Sequence, residues 1–523
     1  MQPVFTAEQM RAVDARAIRE LGIAGSVLME NAGRGAAAAI VEAMPSLGVK
    51  ARAPRVVIVC GRGGNAGDGF VVARALKRAR VRVQVWLTSA PRDIAAEARA
   101  KYDAMCKAAI VPQAVEGDDA LAAALGSADV LVDALLGTGA RGAPSAGVAR
   151  AIELMNASGR PVVALDVPSG LPADGGPPLG PAIRAALTTT FAGLKLGLVT
   201  EPGRALAGRV VVIDIGVPHA EVSRGIETFL LDAADIAPLF SPRARGAHKG
   251  TYGHLLVVAG SAGKTGAAAL AARAAMRAGA GLVTVATAAS AQPVIASLLV
   301  EAMSEPLAET AARSIAFKAK DVIIDLAETR QAVAVGPGLG LDEDTRRLVR
   351  ALAREVRRPL VVDADGLTAL AGHFDDLRGA AAGRCLTPHP GEMARMAGGT
   401  VAEIERDRVG AVRRMATTYG VHVVLKGAAS VIGHPDGRVF VNPTGNPGMA
   451  TGGTGDVLTG IVGALLARGM DEARAMHAGV YLHGAAGDIA AGRVGEESLI
   501  ASDVIDALPE AFRSLAVARS RRR

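Results

Sequence analysis

A glycine-rich segment near the end of the chain combines residue types that could transfer a phosphoryl group. Residues 446–456 (NPGMATGGTGD) contain four glycines and deliver Asp456 to the start of an apolar run at 457–466. Glycine lets the backbone approach a ligand closely, and the free N–H groups at a helix N-terminus favour phosphate oxygens. A carboxylate beside such an anion site can take a proton from a hydroxyl that attacks a phosphoryl group. The alternative is an ordinary glycine-rich turn that Asp456 caps.

Polar residues also follow predicted strands in the first half of the chain. These strands are rich in β-branched residues and cover 55–60, 81–86, 129–133 and 161–166. Helix formers follow each strand, which predicts a mostly parallel sheet covered on both faces. In such sheets ligands bind at the carboxyl ends of the strands. Three of the four strands run there into polar or glycine-rich loops, after Cys60 and at Asp133 and Asp166.

A second alternation of strands and helices begins near Thr228. Its predicted strands cover 254–259, 281–286, 332–335, 359–363 and 421–426. A polar, basic and turn-rich segment, 241–250, precedes the first of them. Two complete alternations in 523 residues predict two domains. We place their boundary between 222 and 232, which gives domains at 1–226 and 227–515 and a basic tail at 516–523.

Composition excludes several classes of protein. The net charge is +7, but four arginines close to the C-terminus supply much of it and the remaining basic residues are dispersed, which excludes a nucleic-acid partner. Three cysteines lie far apart, so neither a zinc site nor a disulfide framework is expected, and a cytoplasmic location fits. The uncharged run 278–300 contains Gly, Gln and Pro residues and predicts a strand, a turn and a helix, so no membrane partner is expected.

Two glycine motifs fail the tests of the sites they suggest. Residues 260–265 (GSAGKT) follow a strand, but the P-loop pattern requires glycine where Val258 stands, so Lys264 has no P-loop role. Residues 61–66 (GRGGNA) fit the dinucleotide pattern, yet the next predicted strand ends without the acid that would hold a ribose. The carboxylate lies inside the loop instead, at Asp68. An ordinary NAD-dependent dehydrogenase is therefore a poor interpretation.

Motifs in both halves resemble one known family. In the first half 61–69 (GRGGNAGDG), 133–139 (DALLGTG) and 166–170 (DVPSG) resemble the NAD(P)H-hydrate epimerase domain. The second half resembles the ADP/ATP-dependent NAD(P)H-hydrate dehydratase, a member of the ribokinase-like group. Its motifs are 248–254 (HKGTYGH), 336–340 (GPGLG), 387–392 (TPHPGE), 426–428 (KGA) and 453–456 (GTGD). The resemblance covers nearly the whole chain, and the chain is similar to bifunctional nicotinamide-nucleotide repair enzymes.

The resemblance implies a fold and a repair reaction. The fold is α/β in two domains, a Rossmann-like three-layer α/β/α epimerase domain and a ribokinase-like dehydratase domain. Reduced nicotinamide cofactors add water across a ring double bond and give R and S hydrates, NADHX or NADPHX. The first domain interconverts the epimers, and the second restores NAD(P)H from the S hydrate. Bacterial members consume ADP, which becomes AMP and phosphate, and a homo-oligomer is expected.

The resemblance also implies which residues of the first half bind the hydrate and a potassium ion. The cation ligands, which offer only oxygen atoms as a hard cation prefers, are Asn65, Asp133 and Ser169. The loops and carboxylate that would hold the hydrate comprise Gly64, Asn65, Ala66, Gly67, Asp68, Gly137, Thr138, Gly139, Ala140, Arg141, Gly142, Ala143 and Asp166. Asp166 would lie at the reacting ring, with Lys195 as a candidate second catalytic group. Alternatively, Asp133 and Ser169 cap helices, Asn65 forms a turn and Asp166 braces a loop.

In the second half, Asp456 is the implied base that deprotonates the ring hydroxyl as it attacks the terminal phosphoryl group. The residues implied to contact the hydrate are Ala267, Gly338, His389 and Asp456. Those implied to hold the nucleotide are Lys426, Gly427, Ala428, Ala429, Ser430 and Gly455. Magnesium is expected with ADP, although no motif fixes its ligands. His389 could equally be a structural histidine between two prolines.

One departure and two alternatives stay open. The family usually has two asparagines where this chain has Gly64-Asn65, and two glycines where it has Ala66-Gly67. Gly64 removes one side-chain donor from the epimerase site. The chain could instead be a ribokinase-like kinase for a small alcohol or vitamin precursor, fused to a non-catalytic binding domain. Epimerase-like folds also serve as non-catalytic scaffolds, against which the retention of Asn65, Asp133, Asp166 and Ser169 argues.

Overall fold

The chain folds into two compact units. The computed structural model describes the backbone of residues 1–520 and the side chains of residues 1–516, so the arginines of the predicted tail at 516–523 lie outside the described side chains. One unit spans Gln2–Ile226, and the other begins at Glu227. Within the described residues, no helix has the length and apolar character needed to cross a membrane.

The first unit is built around a parallel sheet. Its strands are β1 (Gln2–Phe5), β2 (Arg55–Cys60), β3 (Arg82–Leu87), β4 (Gln113–Ala114), β5 (Val130–Ala134), β6 (Val162–Leu165), β7 (Leu187–Phe191), β8 (Leu194–Lys195) and β9 (Arg209–Ile213). Seven of them form a sheet in the order β4-β3-β2-β5-β6-β7-β9, in which all neighbours are parallel. Strands β1 and β8 pair with each other, also in parallel.

Helices cover both faces of this sheet. They are α1 (Ala7–Arg19), α2 (Gly25–Ala43), α3 (Gly64–Arg78), α4 (Ala96–Lys107), α5 (Asp118–Ser127), α6 (Ala146–Ala157), α7 (Leu196–Val199), α8 (Gly203–Ala207) and α9 (His219–Val222). Side chains of β2 alternate between two cores: Val56, Ile58 and Cys60 pack with α2, α3 and α4, whereas Val57 and Val59 pack with α5 and α6. Because both faces are buried, β2 is a continuous apolar run.

The second unit contains a larger, mixed sheet. Its strands are β10 (Thr228–Leu230), β11 (His254–Val258), β12 (Leu282–Ala288), β13 (Met303–Leu307), β14 (Ala332–Val335), β15 (Leu360–Val362), β16 (Arg384–Leu386), β17 (His422–Leu425), β18 (Val431–Gly433) and β19 (Val439–Val441). Within this unit their order is β13-β12-β11-β14-β15-β16-β17-β18-β19-β10. Only β18 runs antiparallel to its neighbours. The predicted α/β fold class of both units is confirmed.

Helices of the second unit pack around a core rich in alanine. They are α10 (Ala233–Ile236), α11 (Thr265–Arg277), α12 (Gln292–Leu298), α13 (Lys320–Glu328), α14 (Glu343–Glu355), α15 (Asp365–Leu370), α16 (Pro390–Ala397), α17 (Val401–Arg406), α18 (Arg408–Tyr419), α19 (Thr454–Ala467), α20 (Glu472–Val494) and α21 (Ala501–Ser520). Residues of α19 from Val457 to Ala467 are all buried, because the helix packs between α11, α20 and the sheet. This burial fixes the position of the glycine-rich segment that precedes the helix.

Two buried histidines and one half-buried histidine form a hydrogen-bonded chain in the second unit. Nδ1 of His422 lies 2.8 Å from Nδ1 of His434, and Nε2 of His434 lies 2.8 Å from Nε2 of His477. The Phe440 ring packs against His477 with 4.1 Å between centroids. Burial, reinforced by the neighbouring imidazoles, lowers the pKa of His434 to about 3, and burial lowers that of His477 to about 4. We call these three residues the histidine chain, and all three rings are neutral at pH 7.

Candidate active sites in the two units

A cleft of about 1050 Å³ opens at the carboxyl edge of the seven-stranded sheet. The loops that follow β2, β3, β5, β6 and β7 all contribute to its walls, as parallel α/β architecture predicts. The segments 61–65 and 135–145 line it, together with Asp68, Asp166 and Lys195. Most of the residues predicted to bind the hydrate therefore face one cavity.

The expectation of a loop over residues 64–68 is wrong, because these residues form the first turn of α3. Strand β2 reaches the helix after three residues, with Gly63 as its N-cap. Ala66 and Gly67 consequently turn into the core, and a Cβ at Gly67 would lie 2.6 Å from Sδ of Met29. The structure thus places Gly64, Asn65 and Asp68 on the cleft wall but not Ala66 and Gly67. The helix N-terminus supplies the free N–H groups that a loop was expected to provide.

The three predicted cation ligands are joined in one buried network. Asp133 is fully buried and accepts two hydrogen bonds from Ser169. Oγ of Ser169 donates at 2.6 Å, and the backbone N–H of Ser169 donates at 2.8 Å. Nδ2 of Asn65 donates to the carbonyl oxygens of Leu136 (2.7 Å) and Leu165 (3.2 Å). Oδ1 of Asn65 is buried, and no donor among the described residues forms a hydrogen bond to it.

Asp133 also lacks a cationic partner, since no Lys or Arg within residues 1–516 forms an ion pair with it. Burial raises its pKa to about 6, and the hydrogen bonds from Ser169 oppose this shift. A buried carboxylate without a counter-charge, next to an unpaired amide oxygen, fits a monovalent cation with oxygen ligands. No cluster of three or more His, Cys, Asp or Glu side chains in the described residues offers a different metal site.

Asp166 and Lys195 form an ion pair in the cleft, with Nζ 2.6 Å from Oδ1. Burial opposes ionisation of Asp166, but Lys195 and a hydrogen bond from the N–H of Thr138 hold its pKa below the usual value. Nζ of Lys195 also donates to Oγ1 of Thr190 (2.9 Å) and to the carbonyl oxygen of Phe191 (2.7 Å). Asp166 adopts a left-handed backbone conformation with φ 65°, which is costly for a residue other than glycine and favours a functional role.

The cleft contains another carboxylate that the sequence interpretation missed. Asp14 of α1 lies in the same cavity as Asp68 and Asp166. On α1 it lies among the buried residues Met10, Val13 and Ala17. An acidic residue within the apolar stripe of an amphipathic helix is the signal that could have identified it. Desolvation raises the pKa of Asp14, and it raises that of Asp68 to well above its usual value.

Charged side chains of both signs line the cleft. Three arginines line it with exposed side chains, and within the described residues they form no ion pair: Arg11, Arg62 and Arg141. Exposed arginines, together with less exposed carboxylates at Asp68 and Asp166, suit an elongated ligand with anionic phosphates at one end and a ring that becomes cationic at the other.

In the second unit, Asp456 lies in the first turn of α19. Gly453 is the N-cap and has φ 92°, a conformation that glycine adopts without strain, and its position leaves no room for a side chain against Leu270. The N–H groups of the first turn have no partner within the helix. A Cβ at Gly455 would lie 3.3 Å from Nζ of Lys426. The glycines therefore bring an anion-binding helix end close to one ammonium and one carboxylate.

Lys426 is held by Asp363, a residue that the sequence interpretation did not select. Asp363 follows β15 and is 1% exposed; its Oδ1 lies 2.7 Å from Nζ of Lys426, and its Oδ2 accepts a 2.6 Å hydrogen bond from Thr459. Burial and the charge of Asp363 raise the pKa of Asp456 to about 7, and Lys426 opposes this shift. Asp456 is therefore poised to exchange a proton near neutral pH.

His389 is an N-cap as well as a candidate ligand. Its Nδ1 accepts hydrogen bonds from the backbone N–H groups of Gly391 (3.0 Å) and Glu392 (3.3 Å), and the backbone N–H of His389 donates to Oε2 of Glu392. Burial, followed by the charge of Lys426, lowers its pKa, so the ring is neutral at pH 7. With Nδ1 engaged as an acceptor, the proton is on Nε2, and half of the side chain stays exposed for a ligand.

Ala267 and Gly338 adjoin each other at the same edge of the sheet. A Cβ at Gly338 would lie 3.1 Å from Cβ of Ala267 and 2.6 Å from the carbonyl oxygen of Lys264. Nζ of Lys264 lies 2.9 Å from Oδ2 of Asp365, which also accepts the N–H of Gly340. Lys264 is thus ion-paired with Asp365, which joins the loops after β11 and β14.

The predicted nucleotide-binding segment is the turn between β17 and β18. Gly427 and Ala428 are exposed, whereas the buried Ala429 has a left-handed backbone with φ 53°. Oγ of Ser430 donates to the carbonyl oxygen of Gly427 at 3.0 Å. The turn follows Lys426 directly, and the ammonium of that residue lies close to Gly455 of α19.

Comparisons with known proteins agree across both units. A family profile described as YjeF-related protein N-terminus matches residues 25–197, and one described as NAD(P)H-hydrate dehydratase matches residues 255–510. The bifunctional NAD(P)H-hydrate repair enzyme Nnr of Moorella thermoacetica is 43% identical over 516 residues, 98% of this chain and 97% of that protein. The Escherichia coli enzyme of the same name is 35% identical over 509 residues, 97% of this chain and 93% of that protein.

A crystal structure of the ADP/ATP-dependent NAD(P)H-hydrate dehydratase from Bacillus subtilis, co-crystallised with ATP and Mg²⁺, is also similar. It is 34% identical and covers 55% of this chain and 98% of its own, with a TM-score of 0.49. The full-length relatives carry the family assignment. The chain belongs to the family of bifunctional NAD(P)H-hydrate repair enzymes.

Proposed function

We propose that the protein repairs NADHX and NADPHX with two active sites, one in residues 1–226 and one in residues 227–515. Full-length kinship to bifunctional repair enzymes supports the overall reaction. The observation that carries the proposal is the pair of separate polar constellations, each at the carboxyl edge of its own sheet. The alternative of a small-alcohol kinase with a non-catalytic partner domain is not favoured by these relatives.

In the first unit, the cleft epimerises the hydrate. The exposed arginines hold the cofactor phosphates, and residues 137–143 together with Gly64 and Asn65 cradle the remainder. The carboxylate of Asp166 faces the reacting ring and stabilises positive charge that develops on its nitrogen. Lys195 keeps Asp166 ionised and oriented. Ala66 and Gly67 are buried behind this wall and support it without contacting the hydrate.

A potassium ion held by Asn65, Asp133 and Ser169 belongs to this proposal. The unpaired Oδ1 of Asn65 and the uncompensated charge of Asp133 are the features that support it. When bound, the ion would supply a positive charge that fixes the three strand-end loops carrying these residues. The residues themselves hold the loop after β5 against the loop after β6 through the bonds of Ser169 to Asp133 and Leu136.

In the second unit, Asp456 acts as the base of the dehydratase. It removes the proton of the ring hydroxyl as that hydroxyl attacks the terminal phosphoryl group, and the amides of 452–455 stabilise the charge on that group. Phosphate then leaves as the ring nitrogen donates its electron pair, which restores the double bond. Ala267, Gly338 and His389 line the hydrate position. Lys426, the turn 427–430 and Gly455 hold the nucleotide.

ADP is the proposed nucleotide, with magnesium carried on its phosphates. Of 58 basic residues only 10 are Lys, a composition typical of high-GC bacterial coding, and ADP is implied for bacterial members. Magnesium prefers phosphate and water oxygens to an all-protein cage, so a dedicated site is not required. The expectations of a homo-oligomer and of a cytoplasmic location stay predictions.

The test supplies purified protein with a mixture of R and S hydrates and ADP. We expect full return of the NADH absorbance, release of AMP and inorganic phosphate, and a slower rate with ATP at the same concentration. A stable phosphorylated product without NADH would refute the repair function. A faster rate with ATP would refute only the choice of nucleotide.

A further inference from the structure

The ion pair in the epimerase cleft has no hydrogen available to a ligand. Nζ of Lys195 donates to Asp166, Thr190 and the carbonyl of Phe191 at 2.6, 2.9 and 2.7 Å, which uses all three ammonium hydrogens. Its side chain is 2% exposed. Asp166 is held by Lys195 on one oxygen and by the N–H of Thr138 on the other. Lys195 and Asp166 therefore hold fixed charges in the cleft, and proton transfer to or from a ligand requires other groups.

Two carboxyls in the same cleft are free to exchange protons. Asp14 from α1 and Asp68 from α3 both line the cavity, and neither forms a hydrogen bond or an ion pair with any side chain in the described residues. Because both carboxyls line the same cavity, we expect a ring bound there to lie within reach of both. Asp14 is exposed and Asp68 is half-buried, and the apolar side chains of Met10, Leu28 and Met29 line the same cleft.

We propose that Asp14 and Asp68 are the proton-exchanging pair of the epimerase, an inference that rests on the proposed epimerase function of this cleft. The assignment adds Asp14 as a catalytic residue and gives Asp68 a role beyond binding. Asp166 and Lys195 then act on the charge of the ring and not on its protons.

The reaction balances with these two carboxyls and water alone. Water adds to the cofactor at the carbon bonded to the ring nitrogen, because that carbon becomes cationic when the enamine is protonated. The protonated carboxyl gives its proton to the hydroxyl, the C–O bond breaks, and the nitrogen lone pair forms a C=N⁺ double bond as water leaves. A water molecule then attacks the opposite face and gives a proton to the other carboxylate. One C–O bond breaks, one forms, and no oxidant is needed.

Each turnover leaves the pair in the opposite protonation state. The carboxyl that started as the acid ends as the base, which is the state that the reverse epimerisation requires. Acid and base on opposite faces resemble the carboxyl pairs that invert glycosidic centres. The negative charge of Asp166 stabilises the cationic intermediate between the two steps.

Electrostatics favours retention of a proton by this pair. Desolvation, the largest cause, and the charges of Asp166 and Asp14 raise the pKa of Asp68 well above its usual value, whereas Lys195 opposes this and Glu97 adds to it. Desolvation and Asp166 also raise the pKa of Asp14, which Lys195 lowers. The remaining charged groups of the cleft are its exposed arginines. Four carboxylates (Asp14, Asp68, Glu97 and Asp166) line the cleft with the ammonium of Lys195, so one proton among them reduces the excess negative charge.

The experiment measures epimerisation in the full-length protein without ADP, starting from one purified hydrate epimer and separating R and S by chromatography. The variants are Asp14→Asn and Asp68→Asn, with Glu8→Gln as the control because Glu8 is an exposed acid of the same helix. We expect each aspartate variant to lose about 10²- to 10⁴-fold in kcat with little change in KM. Glu8→Gln should stay within about twofold of wild type, as surface substitutions usually do.

Further readouts separate proton transfer from a structural role. Formate should partly restore epimerisation to Asp14→Ala, and wild-type protein in H₂¹⁸O should place ¹⁸O in the product hydroxyl. More than about a tenth of wild-type kcat in Asp14→Asn, or no ¹⁸O in the product, would overturn the pair. If wild-type protein epimerises neither hydrate faster than buffer does, the proposed function itself fails.

Discussion

The dehydratase rate should report the ionisation of Asp456. Burial and Asp363 raise the pKa of this carboxyl to about 7, although Lys426 lowers it. A base works only when deprotonated, so activity should rise with pH to a plateau above about pH 8. About half of the sites are active at pH 7 and about 9% at pH 6, which predicts a nearly tenfold loss for each further pH unit.

The assay follows NADH absorbance from the S hydrate with saturating ADP between pH 5.5 and 8.5, using the initial rate. Asp456→Asn should lower kcat by about 10²- to 10⁴-fold. The rate that remains should no longer fall at acid pH, a decline that we call the acid limb. Asp325→Asn is the matched control, because Asp325 is an exposed acid on α13 of the same unit, and it should leave the limb unchanged. Epimerisation belongs to the other unit and should also be unaffected.

Two results would contradict this reasoning. An acid limb centred at or below pH 5 would mean that the titrating group has an ordinary carboxyl pKa, unlike buried Asp456. Persistence of the same limb in Asp456→Asn would assign it to a different group.

Three other predictions test the remaining features. Asp133→Ala should slow epimerisation, and potassium chloride but not sodium chloride should restore the rate; equal rescue by both salts would argue against a selective cation site. A fragment ending at 226 should epimerise, and one starting at 227 should consume only the S hydrate until the first is added; complete consumption by the second fragment alone would refute the division of labour. Folding lowers the pKa values of the histidine chain, so the unfolded chain binds protons more readily than the native one. The contribution of these histidines to the free energy of unfolding is therefore complete above about pH 6.5 and is lost as the pH falls towards 4. Urea denaturation of the second fragment should show a loss of about 1.4 kcal/mol per pH unit for each of His434 and His477, and a constant free energy of unfolding from pH 7 to 5 would contradict this.

The sequence predicted those parts of the sites that lie directly after strands. Asp133, Asp166 and Lys426 each belong to or follow a buried apolar run, and parallel strands bring their carboxyl ends to one edge. The structure accordingly brings Asp133 and Asp166 to one end of the first sheet. Local pattern and topology suffice for such residues, because the position along the strand determines the position in space.

Residues contributed by helices were harder to find. Asp14 reaches the cleft because α1 packs beside α2, a contact between segments that no local pattern specifies. Gly64–Asp68 was expected to be a loop because glycine disfavours helices, but packing of α3 against β2 and α2 overrides that preference. Asp363 was read as the end of a strand, and only the fold brings it to Lys426 and Thr459.

The histidine chain has only two self-consistent arrangements of its hydrogens. If His434 carries its hydrogen on Nδ1, His422 must accept it and His477 must donate from Nε2; if it carries it on Nε2, both neighbours reverse. The three tautomers therefore change together and behave as a single two-state variable. Nitrogen NMR should detect the three rings changing tautomer together. The signals of residues in β17, β18 and α20 should then follow the same equilibrium.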